Sequence, residues 1–323
     1  MKSDPATDVP LVLGGHSFIH QLGNDPPASD QERYAIVESC LDCGIRWFDT
    51  TYLPERIALG GVLHGLGRRH EASILAWSFF SDFLPIERVG QPEYYRPGHI
   101  DIILEQLRTD YVDCLVLMPL NDEDENQRQE ELALEWRRKG YVRSLGLWVE
   151  DLTDIDRYRD DNPFRFAIRP FNVTTVDAAP MLAACKKVGF EVLATSPFFR
   201  GWELERLIAE ASARGYGDQK ILSSALADLM LRFSLFQPDV DRVIVGMRKV
   251  EWVLRNVESV ARGPLTAEET IWLRKLSNGN STSNPRSKAA VGFHLHPQAL
   301  SQFQSIGGRA RSALRKLFFG PAK

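Results

Sequence analysis

Short apolar runs alternate with helical patterns along this chain, and the alternation repeats eight times between Leu11 and Leu276. The runs are Leu11–Gly15, Ile45–Phe48, Ser73–Trp77, Cys114–Met118, Ser144–Trp148, Phe166–Arg169, Glu191–Thr195 and Arg242–Val245. Apolar residues at helical spacing predict helices over about 30–43, 55–66, 100–108, 126–139, 152–157 and 178–188. The same spacing predicts further helices over 202–215, 221–234, 250–261 and 266–276. Ser29 with Glu32 three residues later is a capping signal for the first of these. Eight such units over about 265 residues suit an α/β fold, the (β/α)8 TIM barrel, whose usual length is ~250 residues. A doubly wound sheet instead carries a glycine-rich fingerprint after its first strand, and Gly14-Gly15-His16-Ser17 lacks one. We therefore expect a barrel over residues 1–276, followed by an extension over 277–323.

In a parallel barrel the carboxyl ends of the strands carry the chemistry. Asp49 and Tyr52 fall at the end of the second strand, where a carboxylate can tune a phenol for proton transfer. Asp49 also suits a plain turn cap. His16 leaves the first strand towards the same end, and an Asp–His pair would make an acid/base unit; a backbone-bonded loop histidine is the alternative. Arg169 closes the sixth strand, suited to an anion in the barrel mouth or to a salt bridge with a neighbouring strand end. Trp77, Trp148, Phe79, Phe80, Phe198 and Phe199 fall at or near strand ends, which predicts an aromatic-lined mouth for an apolar or planar ligand, or packing beneath the long loop over 79–98. His294-Leu295-His296 has two-ligand spacing on a strand but no third ligand nearby, so no metal is expected.

Charge and composition narrow the setting. Apolar residues make up 44% and charged residues 25%, as in a soluble globular protein. No apolar run is long enough to span a bilayer, and Met1–Pro5 opens no signal-peptide core, so we expect a cytoplasmic protein. Cys40, Cys43, Cys114 and Cys185 read as free thiols in a reducing compartment. The net charge of −4 argues against nucleic acid as a partner. Residues 277–323 hold seven basic residues and no acid, which leaves the body before them at −11. Ala310, Ala313, Leu314, Leu317 and Phe318 share one helical face in that extension, suited to docking on the barrel or on a protein partner.

Several ordered blocks resemble the aldo-keto reductase family. They are Gly44-Ile-Arg-Trp-Phe-Asp-Thr50, Leu107-Arg-Thr-Asp-Tyr-Val-Asp113, Gly140-Tyr-Val-Arg-Ser-Leu-Gly146, Ala194-Thr-Ser-Pro-Phe-Phe-Arg-Gly201 and Val243-Ile-Val-Gly246 with Asn256 beyond. The resemblance covers roughly residues 9–276 and implies hydride transfer between NADP(H) and a small carbonyl or alcohol, assisted by an Asp, a Tyr, a Lys and a His. Asp49 matches the family's Asp. Tyr52 matches its Tyr, three residues after Asp49 where the family has five. Ser78 stands at the Lys position beside Trp77, and Met118 at the His position.

The cofactor positions divide in the same way. Ser196, Pro197, Gly201, Gly246, Arg248, Lys249 and Asn256 correspond to the pyrophosphate and phosphate contacts. The residues that would hold the nicotinamide are replaced by Trp148-Val149, Ile168 and Thr195. The resemblance therefore implies an NADP(H)-dependent oxidoreductase with an atypical relay around Asp49, Tyr52 and His16. Its substrate pocket would be lined by Trp77, Ser78, Met118, Trp148 and Arg169. The lost polar contacts keep two alternatives open: a non-redox enzyme of the dehydratase or isomerase type, and a silent ligand- or partner-binding barrel.

Overall fold

The protein was analysed as a computed structural model that describes residues 8–19, 28–79, 92–156, 158 and 162–278. Among these residues eight strands run in chain order: β1 (Leu11–Leu13), β2 (Trp47–Thr50), β3 (Ser73–Trp77), β4 (Val112–Leu117), β5 (Val142–Trp148), β6 (Phe166–Pro170), β7 (Glu191–Thr195) and β8 (Arg242–Val245). Each pairs in parallel with the next, and β8 returns to β1 through Val12↔Ile244, closing the expected barrel. Closure removes every sheet edge, and parallel pairing brings all carboxyl ends to one mouth.

The helices follow the strands: α1 (Asp30–Asp42), α2 (Leu53–Leu66), α3 (His99–Leu107), α4 (Glu123–Arg138), α5 (Thr153–Asp156) and α6 (Ala179–Lys187). After β7 come α7 (Trp202–Ala213) and α8 (Gln219–Leu235), and after β8 come α9 (Val250–Arg262) and α10 (Ala267–Asn278). The capping signal of α1 is realised, with the Ser29 amide donating to Glu32 and the Glu32 amide donating to Ser29 Oγ. Ile36, Val37, Cys40 and Leu41 then face the sheet from α1, where each buried Ile, Val or Leu contributes roughly 1.5–3 kcal/mol.

Strand residues alternate between two environments. Leu13, Phe48, Ala76, Leu117, Ala167 and Val243 pack against the helices. Their neighbours fill the lumen: Trp47 of β2 meets Phe166 of β6 across the barrel at a ring separation of 5.1 Å. The lumen is a packed core rather than a channel.

One boundary shift matters for the site. The second strand was expected over Ile45–Phe48 and is Trp47–Thr50. Gly44 takes φ 87° at the end of α1, and the Ile45 amide donates back to Cys40 O, so ladder pairing with β3 begins only at Trp47. Asp49 consequently sits inside the strand, paired with Leu75, rather than in the loop beyond it. The 279–323 part of the extension, including its amphipathic face and His294 and His296, lies outside the described residues, as does Phe80.

Candidate active site

Asp49 is buried at the mouth end of β2, and its Oδ1 accepts a 2.5 Å hydrogen bond from Trp77 Nε1 at the end of β3. The Trp77 indole in turn meets Trp148 of β5 edge-on at 5.8 Å. Burial, reinforced by the negative charge of Glu55, pushes the Asp49 carboxyl up to about 7; the Trp77 hydrogen bond and His16 oppose the shift. An unfolded aspartate ionises near pH 4, so between pH 4 and 7 the folded chain holds one proton more and loses stability as pH rises. Above pH 7 the cost reaches roughly 4 kcal/mol. Asn in place of Asp49 keeps an acceptor for Trp77 and removes the ionisation. We expect Asp49→Asn to melt several degrees above the parent at pH 8 and level with it at pH 4; scanning calorimetry at both pH values with equal shifts would contradict that burial cost.

The turn from β2 into α2 is organised by Glu55, whose carboxylate is fully buried. Its Oε2 accepts from the Thr51 amide at 2.6 Å and the Tyr52 amide at 3.2 Å. Its Oε1 lies 2.9 Å from His16 Nδ1, an ion-pair distance without hydrogen-bond alignment. His16 sits in the 3₁₀ turn Gly15–Phe18 that follows β1. The expected Asp49–His16 pair is therefore corrected to Glu55–His16. Helix α2 begins at Leu53, not near residue 55, and its third residue folds back over the turn to satisfy the first amides. This closeness explains Gly15: a Cβ there would overlap Glu55 Oε2 and lie 2.6 Å from Asp49 O. The Tyr52 ring stands between His16 and Phe79, with both ring separations at 5.4 Å.

Loops after β7 and β8 continue the mouth on the other flank of β1, since β8 pairs with β1. After β7, Ser196, Phe199 and Arg200 adopt φ of 58°, 49° and 60°, followed by Gly201 at 89°. Such left-handed backbone at non-glycine residues stores strain and concentrates at functional sites. Asn172, fully buried after β6, holds this loop by donating Nδ2 to Ser196 O at 2.9 Å. Pro197, within this loop, is buried. Arg200 lies within electrostatic reach of Tyr52: burial holds its guanidinium below the ordinary range, and the phenol opposes that shift.

After β8, Gly246 is exposed, Arg248 half-buried and Lys249 exposed at the N-cap of α9, where no side chain caps the helix. Ser17 locks the loop to β1 by donating to Gly14 O and accepting from the Met247 amide at 2.8 Å. Asn256 is buried one turn and more into α9. Open helix amides, a glycine and two cations form a physically sensible anion site.

The expected pocket residues divide. Trp77, Ser78, Met118 and Trp148 are all buried at strand ends, and they leave a close-packed floor. Arg169 is placed otherwise. It shares the outward side of β6 with Ala167, and its Nη1 donates to Val149 O at 2.7 Å and Glu150 O at 2.5 Å. It caps the end of β5 rather than lining the mouth. A hollow of about 410 Å³ opens beside Asp101, Glu105, Arg108 and Tyr141, away from this chemistry.

Sequence reasoning passed over the roles of Glu55, Arg56, Asn172 and Arg200. Arg56 is fully buried, and its signal was its position on the stripe with Leu59, Gly60 and Leu63. Among the described residues no group of three or more His, Cys, Asp or Glu side chains could hold a metal ion.

The model of the Aldo/keto reductase family matches residues 10–278. No curated protein matches the sequence. Among solved structures, an aldo-keto reductase from Klebsiella pneumoniae in complex with NADPH is 20% identical with a TM-score of 0.62, covering 83% of this chain and 91% of that one. The holo form of an aldo-keto reductase from Bacillus halodurans is 19% identical with a TM-score of 0.61, covering 86% and 95%. A thermostable aldo-keto reductase bound to the inhibitor epalrestat is 20% identical with a TM-score of 0.58, covering 82% and 94%. At these identities the likeness concerns the fold.

Proposed function

The chain belongs to the aldo/keto reductase family, and from that premise we propose an NADP(H)-dependent oxidoreductase acting on a small carbonyl or alcohol through an atypical proton relay. The observation that carries this reading is the meeting of Asp49, Tyr52 and His16 at the same mouth as the β7 and β8 loops. The residues present suit the phosphate end of the cofactor: Gly246 offers close approach, the open α9 terminus offers amides, and Arg248 and Lys249 offer charge. Ser196, Pro197 and Gly201, in the loop after β7, would hold the pyrophosphate. When bound, the cofactor supplies the hydride.

The chain's own residues handle the proton. The Tyr52 hydroxyl donates to the oxygen that becomes negative, which is the role of a positioned general acid. Arg200 stabilises the phenolate left behind, in the absence of a lysine from β3. His16 restores the phenol proton from solvent. The edge-paired indoles of Trp77 and Trp148 and the buried Met118 keep the floor dry, which strengthens these electrostatic effects.

Titration calorimetry with NADPH and NADP⁺, followed in parallel by nicotinamide fluorescence, tests this function. Binding in the micromolar range is expected, with Arg248→Ala and Lys249→Ala each weakening NADPH about tenfold, equivalent to about 1.4 kcal/mol. A second reading rests on the apolar surroundings of Trp148 and Ile168, where a carboxamide finds few partners. Absence of binding at millimolar cofactor would overturn the redox reading in favour of a non-redox enzyme or a silent binding barrel.

A further inference from the structure

We propose that Glu55 is a positioning residue of the proton relay: by facing His16 Nδ1 it holds the imidazole in the Nδ1–H tautomer and leaves Nε2 as the basic nitrogen beside Tyr52. The inference rests on the proposed role of Tyr52 as proton donor, and it adds a residue that the tetrad pattern does not contain.

Three observations converge on it. The Glu55 carboxylate is fully buried, yet only Oε2 is occupied by backbone donors, from Thr51 and Tyr52. Oε1 has no aligned hydrogen bond and lies 2.9 Å from His16 Nδ1. A buried carboxylate oxygen without a donor is costly, so the adjacent imidazole nitrogen is the group that must carry the hydrogen. The His16 ring also lies 5.4 Å from the Tyr52 ring. Gly15, which admits no Cβ, lets the histidine turn approach the Glu55 carboxylate and the backbone carbonyl of Asp49.

The chemistry balances without a further reactant. As the substrate oxygen takes the Tyr52 proton, the phenolate takes a proton from Nε2 of the imidazolium, and the neutral ring regains one from water. Glu55 exchanges no proton in this path and faces the imidazolium, the part a buried carboxylate plays behind a catalytic histidine. A carboxylate is required because an amide would reverse the ring. In Glu55→Gln the side-chain oxygen can still accept from Thr51 and Tyr52, but the NH₂ then donates to Nδ1, which moves the ring hydrogen to Nε2.

The test is long-range ¹⁵N–¹H NMR of the histidine rings in the full apo chain, at a pH where His16 is neutral, with His16→Ala assigning the signal. The wild type should show Nδ1–H and Glu55→Gln should show Nε2–H. With NADPH and a reducible aldehyde, kcat of Glu55→Gln should fall about 10²-fold with KM little changed. Thermal melting of Glu55→Gln near the parent value separates this from unfolding, and Glu55→Asp should recover part of kcat. An Nε2–H tautomer in the wild type, or an unchanged tautomer in Glu55→Gln, overturns the proposal. Inversion without loss of kcat overturns the proton path. If the wild type neither binds NADPH nor turns over, the redox reading falls, and the tautomer measurement still decides whether Glu55 sets the ring.

Discussion

On the proposed relay, Tyr52→Phe is expected to lower kcat by about 10³-fold, equivalent to about 4 kcal/mol of transition-state stabilisation, while the Kd for NADPH stays within about twofold. The substitution removes only the hydroxyl. The ring keeps its two aromatic neighbours, His16 and Phe79, and the backbone amide of residue 52 keeps its bond to Glu55. The fold and the phosphate end are therefore untouched, and the loss falls on proton donation alone. Single-turnover kinetics with preloaded NADPH isolates that step. A kcat unchanged from the parent would mean that another group, with His16 the nearest, donates the proton, and Tyr52 would become a wall of the pocket.

Arg56→Ala should cost about 3–5 kcal/mol of stability, a drop in melting temperature on the order of 10 °C. Arg56 is fully buried, and its guanidinium joins four places that the chain brings together only on folding. Nε donates to Gln106 Oε1 of α3 at 2.6 Å, and Nη1 to Thr51 O at 3.0 Å and Trp77 O at 3.4 Å. Nη2 donates to Phe79 O at 2.8 Å. Truncation opens a cavity and strands these acceptors, each worth about 1–3 kcal/mol when buried without a donor. Lysine should restore little, because one ammonium cannot reproduce the planar fork across separate carbonyls. Differential scanning calorimetry of both variants decides the matter; a melting temperature within 2 °C of the parent would show that α2 and the β2 and β3 ends do not depend on this side chain. A secondary fall in kcat is expected, since Thr51 O is one residue from Tyr52.

Much of the architecture was legible before any fold was known. β3, β7 and β8 fall on the expected residues, and the Ser29–Glu32 capping box opens α1 where the motif places it. These signals are local: a period, a cap, a glycine stop. β2 was displaced by two residues because its start is set by how α1 ends, in the Gly44 turn and the Ile45–Cys40 bond, and not by its own apolar run. Arg169 was misplaced for a related reason. A residue at a strand end has two sides available, and only the pairing of β5, β6 and β7 decides that this one turns outward onto the β5 carbonyls.

The site shows the same division more sharply. Asp49, near the end of β2, and Tyr52, just beyond it, could be brought to the mouth from the order of residues alone, since strand ends gather there whatever the loops do. That His16 meets Glu55 rather than Asp49 depends on β1 and β2 lying side by side, on α2 starting at Leu53, and on a missing Cβ at Gly15. The burial that raises Asp49 and encloses Arg56 likewise arises from contacts between distant segments. Periodicity, capping and strand-end position are short-range properties, so they survive in the bare order of residues. Partner choice, side-chain direction and desolvation are consequences of barrel closure, and they come into being only when the eight strands meet.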